Sequence, residues 1–471
     1  MKPVKTKIRV YNLGGLNLKV SPFLHKDGDM IRCLNVENDQ IGAKKKRPGY
    51  IKYLGTPDNS QINTLFSWTK ENGTQLWNYR ASGSVLYYST QGTGAWTVCG
   101  NGTISNGAHI GHAVLEDTLV IGDAVGSLKY TAVGTSFTEA TGAPKVNHYA
   151  QYQNRIWCGG TSSDLYYSTA GTASNWTTDS SSIKIPGEGK INGIWKANDR
   201  IIITKNSGAM FRYDGFNLVD MATDLAYSSP YSIGEVEDYR IGLNRLGVFG
   251  YGGDKPEIVS NAVEKQIYND AGGGIAGTTF DTAPGEVHRF DYLVSVGTVT
   301  DDLTGEEVGD CILKYDYQMN EWGNWKFYHR PTALLSFKDA SGSQRLVFGN
   351  ASGQCYEVAG TALNDDGNAV ESIMEGVIHA GAPDMDKKWS SYLVSANPGC
   401  QAKIQFALSD TFTKGKKKWI PGKQLVDGMA EGGFPEGSRS KLLFWKVTEA
   451  SRDARFHFYG MTISCDLLDR G

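Results

Sequence analysis

The sequence predicts an all-β protein: a β-propeller preceded by an extended N-terminal arm and followed by a C-terminal antiparallel β-sandwich. Three observations carry this: many glycines with few prolines, a wealth of aromatic residues, and a short strand unit that recurs about every 40 residues. The 471 residues include 57 Gly but only 14 Pro. With no Gly-X-Y period, that glycine predicts many tight turns between short strands. Tyr, Trp and Phe number 24, 11 and 17, and aromatic side chains favour the pleated, half-buried surface of strands. A hydrophobic content of 40% is enough to build a core and argues against wholesale disorder.

The recurring unit places small residues before a strand with an apolar or aromatic doublet. It reads SGSVLYYST at 82–90, VGSLKYTA at 125–132, SSDLYYSTA at 162–170 and SGAMFRYDG at 207–215. It continues as LGVFGYGG at 246–253, GDCILKYDY at 309–317 and SGQCYEVAG at 352–360. Aligned on Leu86, Leu128, Leu165, Phe211, Phe249, Leu313 and Cys355, the spacings are 42, 37, 46, 38, 64 and 42. Most match the roughly 40–45 residues of one four-stranded propeller blade. Seven blades are predicted over residues 61–365, with six as the alternative. A sandwich or irregular all-β domain with regular turns is the competing reading.

Other strand-like runs, DTLVIGD, NRIWCGG, DRIIITK, YLVSVGT and RLVFGN, lie between the recurrences. Each is placed about two strands ahead of its partner. The long gap holds GGDKPEIVSNAVEKQIYNDAGGG, read as an inserted helix capped by Ser260 with Val263 and Ile267 on one face.

After about residue 365 the small-residue signature disappears. EGVIHAGAPDMDKKWSSYLVSA, QAKIQFALS, KLLFWKVTE, RFHFYGMTI and ISCDLL alternate apolar and polar residues, as half-buried sandwich strands do. GMAEGGFPEGS between them reads as a loop. Residues 1–60 form the arm, an extended segment with few packing options of its own. The division is therefore 1–60, 61–365 and 366–471.

Net charge is −3 but unevenly spread. Residues 1–60 carry 12 Lys/Arg against 5 Asp/Glu, and 411–471 carry 11 against 7, leaving a net −14 for 61–410. Basic ends on an acidic middle suggest different partners for different surfaces; ordinary variation of a solvated surface is the alternative. Cys33, Cys99, Cys158, Cys311, Cys355, Cys400 and Cys465 are odd in number, scattered and never in C-x-x-C. They argue against a disulfide framework or zinc knuckle and fit assembly in a reducing cytoplasm. The start has no secretory h-region, and no apolar run reaches membrane-spanning length.

A search for chemistry finds no enzyme signature. No histidine pair has H-x-x-x-H or H-E-x-x-H spacing. His109 and His112 sit in a strand-like segment that would turn them to opposite faces. A G-x-S-x-G nucleophile elbow is absent, and AGGGIAG at 271–277 lacks the Lys-Ser/Thr of a phosphate-binding loop. Asp301, Asp302, Glu306, Glu307 and Asp310 cluster around Thr304–Gly305 without calcium-loop spacing, and read as a solvated hairpin tip. YYSTQGTGAW and YYSTAGTASNW resemble the Asp-box hairpin of sialidase-like propellers, with Gln91 and Ala170 near the aspartate position. That box is a structural turn. No catalytic, cofactor or metal residue is assigned. Two basic runs, Lys44, Lys45, Lys46 and Arg47, and Lys416, Lys417 and Lys418, are candidate assembly or phosphate contacts. Solvated hairpin tips are the alternative for both.

The stretch NLGGLNLKVSPFLHKDGDMIRCLNVENDQIGAKKKRPGY, residues 12–50, resembles the opening arm of phage tail-hub and nozzle proteins, which ends in R-P-G. LSDTFTKGKKKW…KLLFWKVTEASRDARFHFYGMTIS is similar to the end of the packaged-DNA stabilisation proteins of short-tailed phages, and GGDKPEIVSNAVEKQI to an internal element of that group. The resemblance implies a non-enzymatic virion protein, assembled in the bacterial host cytoplasm into a six-fold ring at the distal end of the portal–tail channel. It would narrow or close the DNA exit, retain the genome, and dock a portal adaptor and tail fibres, spikes or a needle. Packaged double-stranded DNA would pass without sequence-specific binding, along an acidic wall that limits sticking. On this reading residues 1–50 are a docking arm whose loss leaves the propeller folded. A glycan-binding or glycan-depolymerising tail propeller is the alternative, with Arg and acidic groups converging at the axis; a cellular scaffold propeller is a third reading.

Overall fold

The computed structural model of the chain describes residues 4–19, 24–39, 42–71, 73, 75–178, 180–221, 229–236, 239–253, 255–268, 274–275, 277–300, 307–411 and 417–468. The fold is all-β with a six-bladed propeller. Five blades are consecutive four-strand antiparallel meanders, beginning at Ile62–Thr69, Gly111–Leu115, His148–Tyr152, Ile191–Ala197 and Gly234–Val236. The sixth, Ala333–Lys338, Gln344–Gly349 and Cys355–Val358, takes its fourth strand from the arm: Tyr50–Tyr53 pairs antiparallel with Cys355–Val358.

The repeat marks one structural position. Leu86, Leu165, Phe211, Phe249, Leu313 and Cys355 all lie in the third strand of a meander, and Leu128 immediately precedes one. All seven are buried. Small residues precede them because the second-to-third connection is a tight turn; Gly83, at φ +56°, is one example. The runs read as lying two strands upstream are adjacent second strands. Arg155–Gly159, for instance, pairs directly with Asp164–Tyr167. Connections such as Gln153–Asn154, with φ of 45° and 55°, put both central residues in the left-handed region, as type I′ hairpins require.

Seven independent blades are not formed. The meander bearing Leu313, Gly285–His288, Asp291–Thr300, Glu307–Asp316 and Glu321–Lys326, is one end of a nine-stranded sheet. Its first strand packs against Gly234–Val236 and Ala333–Lys338. Its fourth continues through arm strand Met30–Leu34 into Ser372–Ile378, Leu442–Glu449, Lys403–Ser409 and Lys423–Gln424. The repeat thus counts meanders, and one meander has been captured by a larger sheet.

Nor do residues 366–471 form a sandwich of their own. A seven-stranded sheet combines Asp386–Ala396, Met429–Gly433, Arg439–Ser440 and His457–Leu468 with arm strands Val4–Val10, Val36–Asn38 and Lys44–Lys46. This sheet and the nine-stranded one share a single core, with Trp389, Val394 and Ile463 from one and Phe406, Trp445 and Val377 from the other. Leu13, Leu16, Leu18, Met30 and Ile31 of the arm lie in that same core. Part of the expected loop 428–438 is strand, because 429–433 satisfies its backbone against 391–395.

Apolar clusters fill the spaces between neighbouring propeller sheets. Phe66, Tyr79, Leu119 and Phe137 join the first two blades, and Tyr53, Ile62, Phe337 and Val347 join the sixth to the first. Each sheet therefore buries a face only because its neighbours exist. The inserted helix is short, Asn261–Val263 continuing as Glu264–Ile267, with Val263 and Ile267 buried as expected. Ser260 makes no side-chain cap; its hydroxyl accepts from the Val248 backbone N–H at 2.9 Å instead.

The arm is locked by Arg47, whose side chain is fully buried. Its guanidinium donates to both carboxylate oxygens of Asp365 at 2.9 and 2.6 Å, to Asn35 Oδ1 at 2.8 Å and to the Lys326 carbonyl at 2.5 Å. Phe327 lies under it at 4.5 Å. Arg47→Met strands a buried carboxylate and is expected to cost about 3–5 kcal/mol in urea unfolding, with Arg47→Met/Asp365→Leu recovering most of the loss. Deletion of residues 1–50 uncovers the shared core; loss of a cooperative thermal transition and strong binding of a hydrophobic dye are the expected outcomes.

Candidate functional site: the propeller axis

The first strand of each blade faces the propeller axis, so residues about 40 apart in sequence meet there. They enclose a cavity of about 240 Å³. Its lining includes His109, His112, Asn147, His148, Tyr231 and Glu286. His109 stacks on Tyr231, ring centroids 3.8 Å apart and 16° from parallel, and Asn147 donates to the Tyr231 hydroxyl at 3.3 Å. His148 approaches the same ring at 6.4 Å, and His112 stacks on Phe66 at 4.4 Å. His109 and His112 are not on opposite faces. His109 precedes the strand Gly111–Leu115, where the two-residue alternation has not begun, and both residues line the cavity.

Desolvation dominates the electrostatics. It pulls His109 and His148 down to about 4 and pushes Glu286 up to about 7. The N–H groups of Val287 and Ser336 oppose the Glu286 shift without cancelling it. His288, also lowered to about 4 by burial, meets the Ser336 hydroxyl at 3.1 Å. Near neutral pH the site therefore holds uncharged imidazoles and a carboxyl close to its midpoint. It can offer hydrogen bonds and ring faces, but little fixed charge. Among the described residues Glu286 is its one carboxylate, and neither Lys nor Arg lines it. A second cavity of about 540 Å³ shares His109 and Pro284 and adds Tyr328, His329 and Arg330, without a carboxylate among the described residues. Among the described residues the Arg–acid convergence expected of a glycan-cleaving axis is not assembled in either cavity. No group of three His, Cys, Asp or Glu there could hold a metal.

The basic runs lie elsewhere, and the first is largely internal. Lys44 is buried and donates to Glu321 at 2.6 Å, and Lys46 is buried against Glu449 at 3.0 Å. With Arg47 on Asp365, three of these four cations are consumed inside the chain. They are not solvated hairpin tips. Lys45 is one-third exposed and lies 3.4 and 3.5 Å from Glu37 and Asp39. In the second run Lys417 pairs with the buried Glu375 at 2.6 Å, Lys418 is exposed, and Lys416 lies outside the described residues. So does most of the acidic cluster, at 301–306. All seven cysteines are free and buried. The Asp-box-like turns are structural as expected, with Gly92 and Gly171 at φ +66° and +70° and Trp176 packed between the second and third blades.

No protein-family model matches this chain, and no curated protein does. Among solved structures it is similar to the computationally designed Ika8 protein, at 14% identity over 74% of this chain and 99% of that one, TM-score 0.41. The Neurospora crassa Pan2 WD40 domain is similar at 8% identity over 66% and 94%, TM-score 0.41. A chain of the Mitotic Checkpoint Complex is similar at 10% over 66% and 92%, TM-score 0.42. The blade assignment rests on the strand pairing above.

The two shifts act on stability in opposite directions. Below about pH 6.5 the unfolded chain binds protons that folded His109 and His148 refuse, so their contribution falls as pH drops towards 4. Between about 4.5 and 7 folded Glu286 keeps a proton that the unfolded chain releases, so its contribution falls as pH rises. Glu286→Gln is expected to weaken the second limb, so that urea-unfolding stability falls less between about pH 4.5 and 7 than in the parent. Equal pH profiles for the two proteins would contradict this.

Proposed function

We propose that this chain is a structural virion subunit that forms a six-fold ring at the distal end of a phage portal–tail channel. There it narrows the DNA exit, retains the genome, and anchors an adaptor and fibres, spikes or a needle. The observation that carries the reading is the meeting of the two chain ends on which the tail-protein resemblance rests. Val4–Val10 pairs with His457–Leu468 over seven residues, and Lys44 and Lys45 pair with Phe458 and His457 further along the same strand. The arm and the C-terminal strands thus form one layer on a closed propeller, a rigid body suited to load-bearing assembly. The outer face of that layer has Lys5, Lys7 and Arg9 exposed along its first strand, a basic edge available to an acidic neighbour. The imidazole-rich axial cavity, with Glu286 its one carboxyl among the described residues, offers ring faces and hydrogen bonds rather than a paired acid and base.

Electron microscopy of tails, or of the purified protein, is expected to reveal six-fold rings; a monomer that cleaves host surface glycan would favour the alternative. That alternative draws support from Tyr328 and Arg330 in the larger axial cavity, an aromatic ring and a guanidinium such as sugars and acidic sugars meet. For the acidic channel wall, the exposed Glu71, Glu116, Glu139 and Glu188 are the groups to change. Their replacement by Gln is expected to slow genome ejection, and an unchanged ejection rate would remove the wall from the proposal.

A further inference from the structure

A cavity of about 290 Å³ opens where the arm, the turn of the captured meander and the C-terminal strands meet. Its basic lining is Lys45, Lys46, Arg47, Arg289, Arg455 and His457, with Glu37 the one carboxylate among the described residues. Lys46 and Arg47 are already matched by Glu449 and Asp365, which are not part of the lining. Lys45 shares Glu37 and Asp39, and Asp39 also meets His457 Nδ1 at 2.9 Å. Arg289 and Arg455 are exposed and have no carboxylate within ion-pair distance among the described residues. Two guanidinium groups therefore line one small cavity without a direct ion pair among the described residues.

We propose that this cavity binds a phosphoryl oxyanion. A guanidinium presents paired N–H donors in a planar fork that matches tetrahedral phosphate oxygens, and two such forks suit a dianion. The surrounding Gly360, Ala362 and Ala454 leave room for the oxygens rather than filling the space. The cations are also placed in advance. Arg289 sits in a hairpin turn at φ +56° with its carbonyl accepting from the Tyr317 hydroxyl at 2.6 Å, and Lys45 is fixed in the sheet opposite His457. Burial raises the pKa of Glu37, which weakens the one negative charge a phosphate would meet. Of the basic-run residues in this lining, Lys45 is the exposed one, and Lys46 and Arg47 are held in internal pairs. The assignment is independent of the ring proposed above, since a phosphoryl group could come from a free phosphate or from a nucleic-acid backbone.

Titration calorimetry of the full chain with sodium phosphate, against sodium chloride at matched ionic strength, tests the site. Saturable phosphate binding is expected, weakened at least tenfold in Arg289→Gln/Arg455→Gln and unchanged in Lys338→Gln, an exposed cation elsewhere. Both altered arginines are exposed, and a thermal melt matching the parent's establishes that the variant is folded. A second arm adds a short DNA duplex: displacement of phosphate identifies the backbone as the source, and no displacement identifies a free phosphate. Phosphate binding that is absent, or equally strong in the double variant, would overturn the proposal.

Discussion

The structure depends on one buried interaction, the Arg47–Asp365 pair. A guanidinium removed from water is tolerable only when nearly every N–H finds an acceptor. Here a carboxylate, the Asn35 side chain and two backbone carbonyls, those of Pro48 and Lys326, supply them. Those acceptors come from the arm, the captured meander and the segment after the sixth blade, so one side chain ties three parts of the chain together. The residues that follow explain why R-P-G stands where it does. A Cβ at Gly49 would collide with the Asn364 carbonyl oxygen, so glycine alone lets the chain pass closely enough for Tyr50 to begin the strand that closes the propeller. Tyr50 then packs among Phe327, Phe348 and Tyr356 at 5.3, 5.0 and 5.0 Å.

The same logic changes the meaning of the uneven charge. Basic ends and an acidic middle suggest surfaces for separate partners, yet Lys44–Glu321 and Arg47–Asp365 join the arm to the middle within one molecule. Lys46–Glu449 joins the arm to the C-terminal strands. Much of the asymmetry is therefore internal complementarity, which fixes where the arm lies. Charges left unmatched after this pairing, Arg289 and Arg455 among them, are the ones available to another molecule. Neither belongs to a basic run, and nothing in the linear pattern marks them.

Legibility followed the range of the interactions. The recurrence from Leu86 to Cys355 was readable because the third strand of each meander meets the same local demands, a tight turn followed by a buried residue at the aligned position. The strands after residue 365 were readable by alternation. Their partners were not. Pairing of residues 4–10 with 461–467 is a contact across almost the whole chain, and alternation names a buried face without naming what covers it. The axial residues were hidden for a related reason. His109, His148, Tyr231 and Glu286 lie in, or just ahead of, the first strands of four separate meanders, and each is unremarkable in its own segment.

The sequence by itself determined the strands, their turns and the roughly 40-residue grouping, because spacing, glycine placement and burial periodicity act over a few residues. It also contained the arm's R-P-G element and the absence of local enzyme motifs. Tertiary structure decided that six meanders stand as separate blades while another is drawn into a nine-stranded sheet. It decided too that the arm is core, and that three of four clustered cations are internal. Those outcomes turn on which sheet edges and which opposite charges meet after folding, and neither is written in any local stretch of chain.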